Sequence, residues 1–117
     1  MSEPNIAEFS PEIASQLTRL KQYTLVILKK GSQYFGPNAQ TIINTEHLPY
    51  VFDLKNQGKM SIPMPVRDDT EIAAIGIFNV TDKSEVKSIM DNDPAVMKGV
   101  FQYEILNAIG LQGDSLQ

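Results

Sequence analysis

Two periods alternate along the apolar positions of this chain. Near the start, Ser10-Pro11-Glu12 provides a hydroxyl cap, a proline at the first helical position and an acid, and Ile13, Leu17 and Leu20 follow at helical spacing. A first helix is expected within residues 1–21, as an extension ahead of the main domain. Residues 23–28 are almost continuously apolar and β-branched and stop at Lys29-Lys30-Gly31, which predicts a buried strand. Gly36-Pro37 marks a loop over residues 32–38. A helical stretch follows and ends at Gln57-Gly58, with Tyr50, Val51 and Leu54 on its buried side. Pro49 falls inside it, so its regular part should begin near residues 45–47, or kink there.

Residues 60–64 alternate apolar and small side chains, but Pro63 and Pro65 deny them a central place in a sheet. After a polar turn at residues 67–70, the run 72–80 predicts a strand that is apolar on both faces. Asp82-Lys83-Ser84-Glu85 opens a helix whose stripe is Val86, Ile89 and Met90. Asp93-Pro94 starts a short helical turn that ends near Gly99. A last strand over 101–106 points Phe101, Tyr103 and Ile105 inward and Gln102 and Glu104 outward. Residues 110–117 read as a flexible tail.

Apart from the first helix the order is β-α-β-β-α-β, the split βαβ arrangement of ferredoxin-like folds. The expected fold is thus an α+β ferredoxin-like domain over residues 22–109, able to close without the first 20 or so residues. Two strands are apolar on both faces, so the sheet face away from the helices needs a cover. One short helix hides too little of it. A second copy of the chain is the expected cover, which makes the protein a homodimer.

Composition narrows the classes. The chain has 117 residues, 42% of them apolar and 21% charged, which fits one globular domain. It contains no cysteine, so disulfides, thiolate catalysis and cysteine-based metal sites are excluded, and a reducing cytoplasm is the expected setting. The net charge is −4 and Arg19 and Arg67 are the only arginines, which argues against nucleic acid as a partner. No apolar run approaches the ~20 residues that span a bilayer, and the polar, acidic start Met1-Ser2-Glu3-Pro4-Asn5 is unlike a signal peptide.

These landmarks resemble the YCII-related family of small dimeric α/β-barrel proteins over about residues 22–107. The resemblance rests on Tyr23-Thr24-Leu25-Val26-Ile27-Leu28, on Glu46-His47-Leu48 heading a helix that ends Gln57-Gly58-Lys59-Met60, and on Ile77-Phe78-Asn79-Val80. Asp91-Asn92-Asp93-Pro94-Ala95-Val96-Met97-Lys98-Gly99-Val100 and Tyr103-Glu104-Ile105 complete it. It implies a barrel made by two subunits and an active-site pair, His47 with Asp93. One departure stands out: members carry Gly-Pro at the end of the second strand, where this chain has Ser61-Ile62-Pro63. Ser61 and Ile62 are expected beside the site, with Ile62 narrowing its wall. Most members have no assigned reaction; one branch resembles enzymes that eliminate chloride from chlorinated hydroquinones.

His47 is the sole histidine, and imidazole titrates near neutrality, as proton transfer requires. It shares a helix side with Tyr50, Val51 and Leu54. Its plain reading is a partly exposed helix histidine; that of Asp93 is a helix cap ahead of Pro94. Tyr34 and Arg67, both in loops, are placed to hold a phenolic or carboxylate ligand, or simply to face solvent. Gly31 and Gly36 have phosphate-loop spacing, but Pro37-Asn38 stands where Lys and Ser or Thr belong. Asp91-Asn92-Asp93 lacks the glycine and glutamate of a calcium loop. No metal or cofactor is expected. Two readings follow. One is a cofactor-free enzyme that moves a proton on a small aromatic or enol-like molecule in an elimination or isomerisation; the other is a non-enzymatic dimeric module, structural or binding a small ligand.

Overall fold

The structure is a computed structural model that describes residues 8–117. The polar start at residues 1–5 and the first part of the N-terminal extension lie outside the described residues.

Helix α1 (Pro11–Leu17) is capped by Ser10, whose hydroxyl accepts the Ile13 amide at 3.3 Å. It buries none of its residues, and Ile13 is 48% exposed. Leu20, expected on this helix, instead opens strand β1 (Leu20–Lys30). The reason is non-local. Two hydrogen bonds join Arg19 and Gln112, the Gln112 N–H donating to the Arg19 carbonyl at 2.8 Å and the Arg19 side-chain Nη1 to the Gln112 carbonyl at 2.7 Å. That closure draws Leu20 and Lys21 into pairing with Leu111 and Gly110. Strand β4 (Phe101–Leu111) therefore runs two residues into the segment expected to be tail. Main-chain pairing needs no apolar alternation, so Gly110 and Leu111 gave no strand signal.

The helical stretch begins at Ala39, earlier than Pro49 alone implied. Helix α2 (Ala39–Ile42) passes into a π-turn over Ile43–His47 and then α3 (Leu48–Asn56). Leu48 N–H donates to the Ile43 carbonyl, five residues back. Pro49 has no N–H for the Thr45 carbonyl and its ring would press on it, so the chain widens by one residue instead of breaking. The end of α3 is local chemistry: Gly58, at φ 75°, lets its own N–H reach the Lys55 carbonyl and Lys59 N–H reach Leu54, a doubly bonded C-cap.

Strands β2 (Met60–Pro65) and β3 (Ile72–Phe78) complete one antiparallel sheet in the order β2-β3-β1-β4. The molecule is a mixed α/β protein whose four-stranded antiparallel sheet is compatible with the ferredoxin-like fold. β2 lies at an edge, where its prolines cost no ladder bonds. Helices α4 (Lys83–Asp91) and α5 (Pro94–Met97) join α2 and α3 on one face, over a core that includes Val26, Phe78, Val86 and Val100. The pleat sends the alternate residues to the other face, where Ile62, Ile77, Leu25 and Leu106 form one row across the strands. That face is only half-buried, and α1 does not cover it. The chain after β4 turns back at one end of it, leaving a cleft of ≈ 440 Å³ between Gly113, Asp114 and the strands. Among the described residues, no helix is long and apolar enough to cross a membrane.

Candidate functional site

His47 ends the π-turn, and Asp93 caps α5. Their side chains, 46 positions apart in sequence, meet with His47 Nδ1 2.6 Å from Asp93 Oδ2. Both residues are buried, His47 at 7% and Asp93 at 1% exposure. The other carboxylate oxygen, Oδ1, accepts the Ala95 amide at 2.9 Å, so capping and pairing use different oxygens of one group. With the carboxylate acting as acceptor, a ring hydrogen belongs on Nδ1, so in the neutral imidazole Nε2 is the nitrogen that keeps its lone pair.

Several contacts hold the pair in place. The His47 ring packs on Phe101, centroids 4.9 Å apart. Three residues along the helix, the Tyr50 hydroxyl donates to the Ile89 carbonyl at 2.7 Å and ties α3 to α4. Burial holds this phenol above its ordinary pKa, and the nearby carboxylates of Asp93 and Asp53 push it the same way. Helix α5 is closed at its far end by Gly99, at φ 77°, where Gly99 and Val100 donate to Val96 and Ala95.

Beside the pair is a small cavity of ≈ 40 Å³, with Met60, Gly76, Phe78 and Met90 among its walls. Apart from His47 and Asp93 its lining is apolar. Ser61 and Ile62 are not part of it. A bulge sets both against a single step on β3, Met60 pairing with Phe78 and Ile62 with Ile77, so Ile62 turns to the open face. The wall expected to be narrowed by Ile62 is formed by Met60 instead. Tyr34 is also apart from the cavity: its ring meets Phe101 at 5.9 Å, with Lys30 Nζ 5.1 Å from its centre. Arg67 is exposed on the β2–β3 loop. Met60, Gly76 and Met90 carried no sign of the site in the sequence, because strand parity past a bulge and helix–sheet packing are not local properties. Among the described residues, no three His, Cys, Asp or Glu side chains cluster to hold a metal ion.

Fold and site together define a small mixed α/β protein with a histidine–carboxylate pair buried beneath its helical layer. The chain belongs to the YCII-related domain family, whose sequence model matches residues 22–109. Among curated proteins none matches it significantly. Among solved structures it is similar to a 5-chloro-2-hydroxyhydroquinone dehydrochlorinase from Burkholderia phenoliruptrix in complex with 2,5-dihydroxybenzoquinone. The identity is 22% and the TM-score 0.48, over 79% of this chain and 95% of that one.

Proposed function

We propose that the protein is a cofactor-free acid–base enzyme in which His47 moves a proton on a small aromatic or enol-like molecule and Asp93 orients the imidazole. The observation that carries this reading is the buried 2.6 Å contact between His47 Nδ1 and Asp93 Oδ2, beside an otherwise apolar cavity. A carboxylate on one ring nitrogen fixes the tautomer and stabilises the imidazolium as it forms, leaving Nε2 to take the proton. Elimination or isomerisation is the chemistry such a pair runs unaided. Apolar walls suit a ring. A cavity of ≈ 40 Å³ is nearer to water-sized than ring-sized, so a ring enters when Met60 and Met90, unbranched and readily repacked, move aside.

The functional unit in this reading is a homodimer, with two sheets packed through the row Ile62, Ile77, Leu25 and Leu106. A large, half-buried apolar face is what such an interface needs. The small cavity also supports a second reading, a non-enzymatic dimeric module in which Asp93 serves to cap α5 and to pack His47.

Hydrogen–deuterium exchange at carbon separates the two. Phenols, hydroquinones and cyclic enolones are incubated with the protein in D₂O and followed by proton NMR. Deuterium uptake above the uncatalysed rate, lost in His47→Gln, is the expected result. Ligand-induced shifts around Met60 and Met90 without any exchange would leave the binding module as the function.

A further inference from the structure

A second contact joins the two elements that carry the pair. Lys98 Nζ lies 2.7 Å from Glu46 Oε1 and 2.8 Å from Oε2, so both carboxylate oxygens are engaged. Glu46 immediately precedes His47, and Lys98 stands at the opposite end of α5 from Asp93. The π-turn therefore grips α5 twice: His47 holds its first end and Glu46 its last. Between these points α5 is a short rigid spacer, capped by Asp93 at the start and by the Gly99 and Val100 amides at the finish.

The grip matters because of where His47 sits. The π-turn is the least regular stretch of its helix, with hydrogen bonds to the fifth residue back and Pro49 just beyond. The Thr45 hydroxyl donates to the Thr41 carbonyl at 2.7 Å, a back-bond that bends helices further. If the turn slipped by one residue into α-helical pairing, each side chain would rotate by roughly 100° and His47 would leave Asp93. We propose that the Glu46–Lys98 ion pair is a positioning device that holds the π-turn in the register where His47 meets Asp93. This deepens the acid–base reading and rests on it. Glu46 and Lys98 are positioning residues; neither lines the cavity. Both are half-exposed, so the pair adds little to global stability and its effect is on geometry.

The reporter is the Nδ1 hydrogen of His47, observed by proton NMR in the full-length protein. A hydrogen donated to a buried carboxylate resonates far downfield and exchanges slowly. Glu46→Gln and Lys98→Met are each expected to raise its exchange rate by about two- to fivefold, the mark of easier local opening, with the melting temperature nearly unchanged. The exchanged pair Glu46→Lys with Lys98→Glu should restore slow exchange. Field effects of the two charges on the imidazole would act in opposite directions in the two single variants, whereas loss of position acts in the same direction in both. Unchanged rates, opposite changes, or failure of the exchanged pair to restore the signal would overturn the proposal. If the signal is present but indifferent to Asp93→Asn, the His47–Asp93 pairing itself fails, and the clamp with it. A signal that depends on Asp93 but not on Glu46 or Lys98 rejects the clamp and leaves the pair standing.

Discussion

The backbones of Gly31 and Gly99 pass so closely that a Cβ on Gly31 would lie 2.3 Å from the Gly99 carbonyl oxygen. Gly31 N–H donates to the Val100 carbonyl at 2.8 Å and Gln33 N–H to Gly99 at 2.9 Å. This seam fastens the loop after β1 to the end of α5, and so to the helix that Asp93 caps. Gly31→Ala has no flexible side chain to push aside and should destabilise the fold by about 2–3 kcal/mol. Gly76→Ala would meet its nearest neighbours, the Met60 Cε at 3.5 Å and the Phe78 ring at 3.6 Å, at ordinary contact distance, and should change stability by less than about 1 kcal/mol. Urea unfolding of the two variants checks the contrast.

Asp93 combines a cap and a buried partner, and two substitutions separate these roles. Asp93→Ala removes both oxygens and strands the His47 ring, with an expected loss of about 3–5 kcal/mol. Asp93→Asn keeps an oxygen for the Ala95 amide, so its loss should be smaller by about 1 kcal/mol. Equal losses in denaturant titrations would mean that the cap contributes nothing measurable.

Stability should fall on the alkaline side through Tyr50. Its folded pKa is raised, by burial first and then by the charges of Asp93 and Asp53, so above the unfolded phenol value the native state keeps a proton that the unfolded chain has lost. The contribution is complete below about pH 10 and is lost as pH rises through the folded pKa. Tyr50→Phe should be less stable at neutral pH by about 1 kcal/mol, for want of the bond to Ile89, but should lose less on going from pH 10 to 11.5. Parallel alkaline slopes in the two proteins would exclude Tyr50 as the source.

Truncation should show a sharp boundary at Arg19. We propose that the core closes without α1, which buries nothing, and that the Arg19–Gln112 contacts hold the first pairs of β1. A chain shortened to begin at Thr18 should unfold cooperatively with near-native stability. One that begins at Lys21 should lose protection of the Leu20–Tyr23 and Ala108–Leu111 pairing in amide exchange. Loss of folding at the Thr18 start would make α1 part of the main core.

The proposed dimer predicts a mass near twice the 13.0 kDa of one chain by light scattering at micromolar concentration. Ile77→Glu puts a carboxylate in the middle of the apolar row and should yield a folded monomer. A wild-type protein that scatters as one chain would dismiss the sheet-to-sheet interface.

Much of the fold was readable from neighbours a few residues apart. Ser10-Pro11, Asp93-Pro94 and Gly58 mark helix ends because a cap satisfies amides and carbonyls within its own turn. The alternation in β4 placed Phe101, Tyr103 and Ile105 under the helices, because a regular pleat carries the face of one residue to the next. The edge position of β2 followed from Pro63 and Pro65, which cannot donate to a ladder.

The tertiary structure alone decided what depends on a partner far along the chain. Whether Leu20 ended a helix or began a strand was settled by Gln112, 93 residues from Arg19. Which of Met60 and Ile62 faces the cavity was settled by one extra residue in the pairing with β3, since a single-residue slip exchanges the two faces of a strand. His47 and Asp93 were marked as residue types, by imidazole chemistry, by a cap signature and by family resemblance. That one carboxylate serves the Ala95 amide with one oxygen and the imidazole with the other follows only when α5 is docked against the π-turn, and no local pattern in the sequence encodes that docking.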